Sequence, residues 1–104
     1  MIANTPKPPY YTVIFTSVRT NKKEGYEKMA KRMVELAEKQ PGFLGVESAR
    51  EEVGITVSYW RDLESIEKCK HNAEHLKAQE LGKTIWYKEF KVRICRVDND
   101  YRSH

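Results

Sequence analysis

Strand-like and helix-like segments follow one another along the chain in an order that constrains the fold more than any other feature. Residues 10–19 are rich in β-branched and aromatic side chains, which is typical of a strand. Residues 26–40 place apolar side chains at the spacing of a one-faced amphipathic helix, which Pro41 and Gly42 end. Residues 43–60 then predict two strands around a turn, most simply a hairpin.

The second half of the chain continues with a helical segment and a final strand. Asp62 is a good helix N-cap, and helical residues continue to about Trp86. Asn72 interrupts this segment, because asparagine is a poor interior helix residue and a good N-cap. The helix is therefore predicted to break and restart there. With the alternating strand at residues 87–97, the order is β-α-β-β-α-β, an α+β ferredoxin-like fold with a broken second helix.

The chain has room for one domain of this kind. With 104 residues it can bury a single, modest core. Prolines at positions 6, 8 and 9 exclude a helix or a central strand, so residues 1–9 are predicted to form an extended arm. The folded domain is expected to span residues 10–97, and residues 98–104 form a C-terminal tail.

Composition and charge exclude several classes of function. No apolar run approaches the roughly 20 residues that a membrane helix needs, and the first residues lack the pattern of a secretory signal. A cytoplasmic protein without membrane attachment is therefore expected. The net charge of +4 raises nucleic acid as a partner, but lysines and glutamates are interleaved along the first helix. A phosphate-binding surface is more one-sided, so no nucleic-acid binding is expected.

The strand patterns predict a homodimer. Both helices of this fold lie on one face of the sheet, which leaves the other face open. In the first strand, the large apolar residues Ile14 and Phe15 point to opposite faces. The third strand likewise sets Val57 and Tyr59 opposite Trp60. Monomers rarely expose an apolar patch of this kind, and a second subunit packed sheet to sheet would cover it.

The segment from Ser58 to His75 holds the densest set of chemically active side chains. If the helix restarts at Asn72, His75 lies in line with Gln79 and Trp86 and turns inward, whereas His71 stays exposed. The i,i+4 spacing of the two histidines also permits zinc chelation. The metalloprotease motif requires a glutamate directly after the first histidine, however, and an asparagine stands there without a suggestive third ligand nearby. No metal site is therefore expected.

The two cysteines add little chemistry to this segment. A Cys–His nucleophile needs an activating environment, which a sequence does not reveal. Two cysteines are also too few for a disulfide scaffold. We therefore expect Cys69 and Cys95 to be free thiols that pack as small apolar residues.

Several segments across the chain resemble a known family. The segments "PGFLGVESAR", "GITVSYW" and "AEHLKAQELGK", together with "WY" at positions 86–87, are similar to the antibiotic biosynthesis monooxygenase family. The resemblance runs from about Tyr10 to Val97. It implies a dimeric α+β barrel, in which two ferredoxin-like subunits pack sheet to sheet. This expectation agrees with the homodimer predicted from the strand faces.

The resemblance implies oxygen chemistry without a cofactor. Members of the family include cofactor-independent oxygenases of aromatic polyketides, quinol-directed oxygenases and haem-degrading enzymes. The haem degraders use an asparagine on the first strand with a tryptophan and a histidine on the second helix. Here the first strand lacks an asparagine, and Cys69 and Gln79 stand where that tryptophan and histidine would be. Haem degradation by that mechanism is not expected, nor is a bound metal, haem or flavin.

A cofactor-independent monooxygenase would need a dry pocket and a base that deprotonates a small aromatic substrate such as a phenol or hydroquinone. His75 is the natural catalytic base, because an unperturbed imidazole has a pKa of about 6.5. Gln79 could hold a substrate oxygen. The predicted walls of the substrate pocket are Phe15, Tyr59, Trp60 and Trp86.

Three alternatives remain open from the sequence. His75 can equally be a buried or interfacial histidine with a purely structural role, and Tyr59 and Trp60 are more often core residues than ligand platforms. A non-catalytic dimer that binds a small aromatic metabolite would have the same fold. An RNA-binding module shares the order of elements, but "GITVSYWRD" lacks the basic residue, glycine and alternating aromatics of its signature.

Overall fold

The protein folds as a four-stranded antiparallel sheet with its helices on one face. The computed structural model describes residues 2–103, apart from the side chains at positions 73, 74 and 84. The strands lie in the order β2-β3-β1-β4, the ferredoxin-like α+β arrangement that the sequence predicts. Within the described residues, no helix is long and apolar enough to cross a membrane. In chain order the elements are β1 (Tyr10–Arg19), α1 (Tyr26–Glu38), β2 (Phe43–Arg50), β3 (Gly54–Trp60), α2 (Leu63–Lys70), α3 (Ala73–Leu81), a π-helical turn (Gly82–Trp86) and β4 (Tyr87–Val97).

Strand pairing fixes which side chains face the helices. Tyr11 of β1 lies opposite Trp60 of β3, and both pack in one cluster with Ile66 and Cys69 of α2. Full burial of a side chain such as Ile66 stabilises the fold by about 1.5–3 kcal/mol. Because side chains alternate along a strand, Ile14 and the other even-numbered residues of β1 point to the opposite face, which carries no helix.

The start of α2 is held by the side chain that the sequence identifies as its N-cap. The Asp62 carboxylate accepts hydrogen bonds from the Ser65 backbone N–H at 2.8 Å and from the Ser65 hydroxyl at 2.7 Å. Caps of this kind are worth about 0.5–2 kcal/mol. Gly42, in the turn after α1, has a φ of 86° and lies so close to Ser65 that any side chain there would collide with it. The Pro-Gly turn is thereby docked against the start of α2.

The second helical segment breaks where the sequence predicts. α2 ends at Lys70 and α3 begins at Ala73. Between them, the Asn72 side-chain oxygen accepts a long hydrogen bond of 3.4 Å from the His75 backbone N–H, which caps the new helix. The chain then passes through the π-helical turn before β4. The sequence predicted helix up to this point but not the π geometry, which in other proteins often occurs at functional sites.

The N-terminal arm packs on the helix-free face of the sheet. Ala3 donates its backbone N–H to the Glu47 carboxylate at 2.8 Å. Thr5 donates to the Tyr10 hydroxyl at 3.1 Å, and that hydroxyl donates to Asp100 in the C-terminal tail at 2.5 Å. Arm and tail together cover one end of the face, and they leave Tyr10 only 4% exposed.

The two cysteines differ in burial. Cys69 packs in the core with Trp60 and Ile66, as the sequence predicts for a small apolar residue. Cys95 is also a free thiol, as predicted, but it is exposed on β4, so the prediction that it packs as a small apolar residue is wrong. The reason lies in the register, because Cys95 pairs with Thr12 of β1 and its side chain therefore points to the helix-free face of the sheet.

Candidate functional site

Of the two histidines in the segment from Ser58 to His75, one lies on the inward side of α3. His75 is half-buried, whereas His71 at the end of α2 is exposed and lies 3.3 Å from Glu67. Burial lowers the pKa of His75 below its ordinary value, because a low-dielectric surrounding disfavours the charged imidazolium. His75 is therefore neutral at neutral pH, which is the form that a general base requires.

A side-chain amide one helical turn further on orients the His75 ring. Gln79 Nε2 lies 2.9 Å from His75 Nδ1. In a neutral imidazole one nitrogen donates and the other accepts, so the amide selects the tautomer. As placed, the Gln79 amide N–H donates to Nδ1, and the neutral ring then carries its proton on Nε2. A half-turn of the amide brings its oxygen against a protonated Nδ1 and frees Nε2 to accept a proton.

An apolar cavity of about 50 Å³ lies between α1, α3 and the π-helical turn. Ala78, which lines it, follows His75 by three residues, so the two lie on the same side of α3. Ligand pockets usually measure roughly 300–1,000 Å³, so a ring can enter only if the walls move. Methionines adapt well to such a change because they are unbranched and flexible. The cavity walls include Met29, Ala30 and Met33 of α1, Ala78 of α3, Trp86 and Tyr87.

Two of the predicted pocket residues, Phe15 and Trp86, belong to one aromatic cluster on the helix side of the sheet. Tyr26 meets Trp86 edge to face with ring centres 5.8 Å apart, and it meets Tyr87 at 5.9 Å. Phe15 in turn contacts Tyr87 at 5.2 Å and Phe90 at 5.6 Å. Tyr87 thus links the cavity wall to the aromatic residues of β1 and β4.

The other two predicted wall residues lie elsewhere. Trp60 is only 3% exposed and packs with Ile66 and Cys69 beneath α2. Tyr59, its neighbour in β3, points to the helix-free face and donates its hydroxyl to Glu47 at 2.6 Å. Burial and this bond raise the pKa of Tyr59 to about 12. Because adjacent residues of a strand face opposite ways, the structure does not bring these two side chains to one pocket.

Sequence reasoning missed most of the cavity wall. Tyr26, Met29 and Met33 belong to the apolar face that the sequence predicts for the first helix, and Tyr87 to the predicted last strand and to the "WY" of the family resemblance. The spacing of the helical residues does signal a buried face, but it does not show where that face leaves a gap. A partial signal exists in Met29 and Met33, since two methionines one turn apart are typical of adaptable surfaces.

The helix break separates His71 from His75, the two histidines whose spacing in the sequence permits zinc chelation. His71 contacts Glu67 on α2, and His75 contacts Gln79 on α3. Among the residues that the structure describes, no group of three His, Cys, Asp or Glu side chains lies close enough together to hold a metal ion.

Comparison with known proteins decides the family. The family model for antibiotic biosynthesis monooxygenases matches residues 9–81. The chain belongs to this family. One relative is the uncharacterised Bacillus subtilis protein YqjZ, which is 50% identical over 99 residues, or 93% of this chain and 87% of YqjZ. The resemblance drawn from the sequence is thereby confirmed.

Solved structures of low sequence identity share the fold. SnoaB, a cofactor-independent oxygenase from Streptomyces nogalater, superposes with a TM-score of 0.77 at 12% identity, over 92% of this chain and all of SnoaB. A conserved protein from Methanosarcina mazei Go1 gives a TM-score of 0.74 at 16% identity, over 84% of this chain and 91% of that protein. At these identities the likeness concerns the fold, and it confirms the ferredoxin-like arrangement within this family.

Proposed function

We propose that this protein is a cofactor-independent monooxygenase that acts on a small aromatic substrate, such as a phenol or a hydroquinone. The observation that carries the proposal is the His75–Gln79 pair: a half-buried imidazole, held at 2.9 Å by an amide, on the same side of α3 as the apolar cavity. Membership of the antibiotic biosynthesis monooxygenase family supports it, as does the fold shared with the oxygenase SnoaB.

In the proposed reaction, the protein supplies a base and a dry site. In this proposal the Gln79 amide turns so that its oxygen accepts from Nδ1–H, and His75 Nε2 accepts a proton from the substrate; the imidazolium that forms is then stabilised by the amide oxygen. The electron-rich substrate anion then reduces dioxygen directly. For a substrate such as anthrone, a CH₂ group becomes a carbonyl; one atom of O₂ enters that carbonyl and the other leaves as water with the two hydrogens. Exclusion of bulk water keeps the anion from being reprotonated.

The cavity walls suit a flat, apolar substrate. Trp86 and Tyr87 offer ring faces for stacking, and Phe15 extends that surface along β1. Met29 and Met33 are both half-buried, so changes in their rotamers can widen the cavity from its present 50 Å³ at little energetic cost. In this proposal the substrate opens its own site.

Oxygen uptake tests the proposal. The protein is treated with a chelator, supplied with anthrone or a hydroquinone, and followed with an oxygen electrode. We expect uptake well above the protein-free rate, and with ¹⁸O₂ we expect one labelled oxygen atom in each molecule of anthraquinone. Uptake equal to the protein-free rate across the substrate panel would contradict the oxygenase.

Binding without catalysis is the second candidate function. One observation favours it: His75 is not among the described residues that line the cavity. A dimer that binds a small aromatic metabolite would then show saturable binding of the substrate panel with no oxygen uptake. The two measurements made on the same compounds separate the two candidates.

We also propose that the protein is a homodimer formed through the helix-free face of its sheet. Ile14 and Val57 pair in register on that face, and neighbouring Ile55 is 45% exposed. The N-terminal arm covers only one end of the face, so these apolar side chains remain open to water in a single chain. Burial of such a patch is the usual driving force for association.

A further inference from the structure

We propose that the substrate carries a carboxylate, which is bound by Arg19 and Arg50 at the end of the sheet where β1 finishes. These two residues are called the arginine pair below. The proposal names the chemical class of the substrate more narrowly than a phenol or hydroquinone, and its aromatic part rests on the proposed function. It is carried by where the two guanidinium groups lie, by the lack of an acidic partner for them, and by the aromatic cavity beside them.

The arginine pair converges from two different strands. Arg19 is the last residue of β1 and lies opposite Tyr87 of β4. Arg50 is the last residue of β2, and its guanidinium crosses over Gly54 to donate to the hydroxyl of the buried Ser17. The positive charges of both arginines act on the Tyr87 hydroxyl, so the two groups share one neighbourhood on the helix side of the sheet.

Neither arginine pairs with a carboxylate among the residues that the structure describes. Arg19 stacks on the Tyr26 ring at 3.5 Å and donates to the Lys22 carbonyl at 3.1 Å. Its Nε is shut off from solvent and lacks a hydrogen-bond acceptor within the described part of the chain. The exposed Arg61 and Arg96, by contrast, each contact an aspartate, at 3.2 Å and 2.5 Å. Buried donors are almost always paired, so this N–H requires an acceptor that the described residues do not supply.

Solvent reaches Arg19 through a depression of about 610 Å³ over the loop between β1 and α1. Arg19, Lys23 and Lys28 line it with only one acid, Glu27, so the depression is net positive. An anion is therefore attracted to this opening. The guanidinium is suited to a carboxylate in particular, because its fork of N–H groups matches the two oxygens.

The arginine pair also adjoins the apolar cavity. Tyr26, on which Arg19 stacks, is part of the cavity wall, and so is Tyr87. Tyr87 donates to the Tyr26 hydroxyl at 3.4 Å, which leaves the Tyr26 proton available for a ligand oxygen. Burial raises the pKa of Tyr87, so this hydroxyl stays a neutral donor and does not repel an anion. A ring in the cavity would thus place its carboxylate toward the arginines.

The test is a binding measurement under anaerobic conditions by titration calorimetry. The probes are 4-hydroxybenzoate, its neutral analogue 4-hydroxybenzyl alcohol, and inorganic phosphate. We expect the carboxylate to bind about 10- to 100-fold more tightly than the alcohol, the usual worth of a hydrogen bond to a charged group. Arg19→Gln and Arg50→Gln should each lose that advantage. The control Arg61→Gln, which alters an exposed arginine with its own aspartate, should keep it.

Three outcomes would overturn the inference. The first is equal affinity for the carboxylate and the alcohol, and the second is an advantage that survives in both variants of the arginine pair. The third is phosphate binding as tight as 4-hydroxybenzoate, which would assign the site to phosphate. Melting temperatures accompany each titration. If Arg19→Gln does not fold, Arg50→Gln decides, since Arg50 is exposed and its replacement disturbs the packing less. If the protein binds the carboxylate selectively but takes up no oxygen, this inference stands. Only the proposed oxygenase activity is then contradicted.

Discussion

Replacement of His75 by alanine separates a catalytic role from a structural one, because the two effects differ in kind and size. His75 is half-buried, and its ring is bonded to Gln79 at 2.9 Å. Loss of a hydrogen bond of this sort costs about 0.5–1.5 kcal/mol of unfolding free energy. In a domain of this length each kcal/mol lowers the melting temperature by roughly 4–8 °C. Loss of a general base, by contrast, lowers turnover by about 10²–10⁴-fold.

The matched control is His71→Ala. His71 is exposed and contacts Glu67 at an i,i+4 spacing, and surface pairs of this kind contribute about 0–1 kcal/mol. Oxygen uptake with anthrone or a hydroquinone gives the rates, and thermal unfolding followed by circular dichroism gives the stabilities. We expect a selective loss of turnover in His75→Ala and wild-type behaviour in His71→Ala.

Two results would refute the reasoning. If His75→Ala melts at a lower temperature but keeps wild-type turnover, the imidazole is structural and the base lies elsewhere. If His71→Ala is the variant that loses turnover, the inward orientation of His75 does not identify the catalytic residue, and the site lies elsewhere.

Four further predictions concern the pH dependence of activity and of stability, the cavity and the assembly. Because burial lowers the pKa of His75, kcat/KM should rise with pH through a midpoint below 6.5, and a pH–rate profile that inflects above 6.5 would contradict this. The unfolded chain binds a proton on this histidine more readily, so wild-type stability should fall as the pH drops below 6.5, and His75→Gln should remove that part of the decline in melting temperature. The double variant Met29→Leu/Met33→Leu conserves side-chain volume and should cost less than about 1.5 kcal/mol of stability. It should nevertheless raise KM, because leucine adapts less than methionine when the cavity widens. An unchanged KM would show that these side chains do not move when substrate binds. Sedimentation equilibrium at micromolar concentration should show a dimer for the wild type and a monomer for Val57→Glu, and a wild-type monomer would exclude association through the helix-free face.

The order and limits of the elements follow from short-range features of the sequence. Asp62 starts α2 and Asn72 restarts the helix as α3, because each side chain accepts a hydrogen bond from a backbone N–H only three residues further on. The alternation of residues in β1 and β3 likewise fixed which side chains share a face. That rule already places Tyr59 and Trp60 on opposite faces, so their separation in the structure is a consequence of the strand itself.

The immediate surroundings of the site were decided only by the tertiary structure. The cavity exists because α1, α3 and the π-helical turn meet without filling the space between them, and no local pattern records a gap between distant segments. The arginine pair forms because the ends of β1 and β2 are brought to one region by pairing with β3. Local propensity and periodicity specify elements and their faces, whereas the space left between faces, and the charges left without partners, depend on long-range packing of the whole domain.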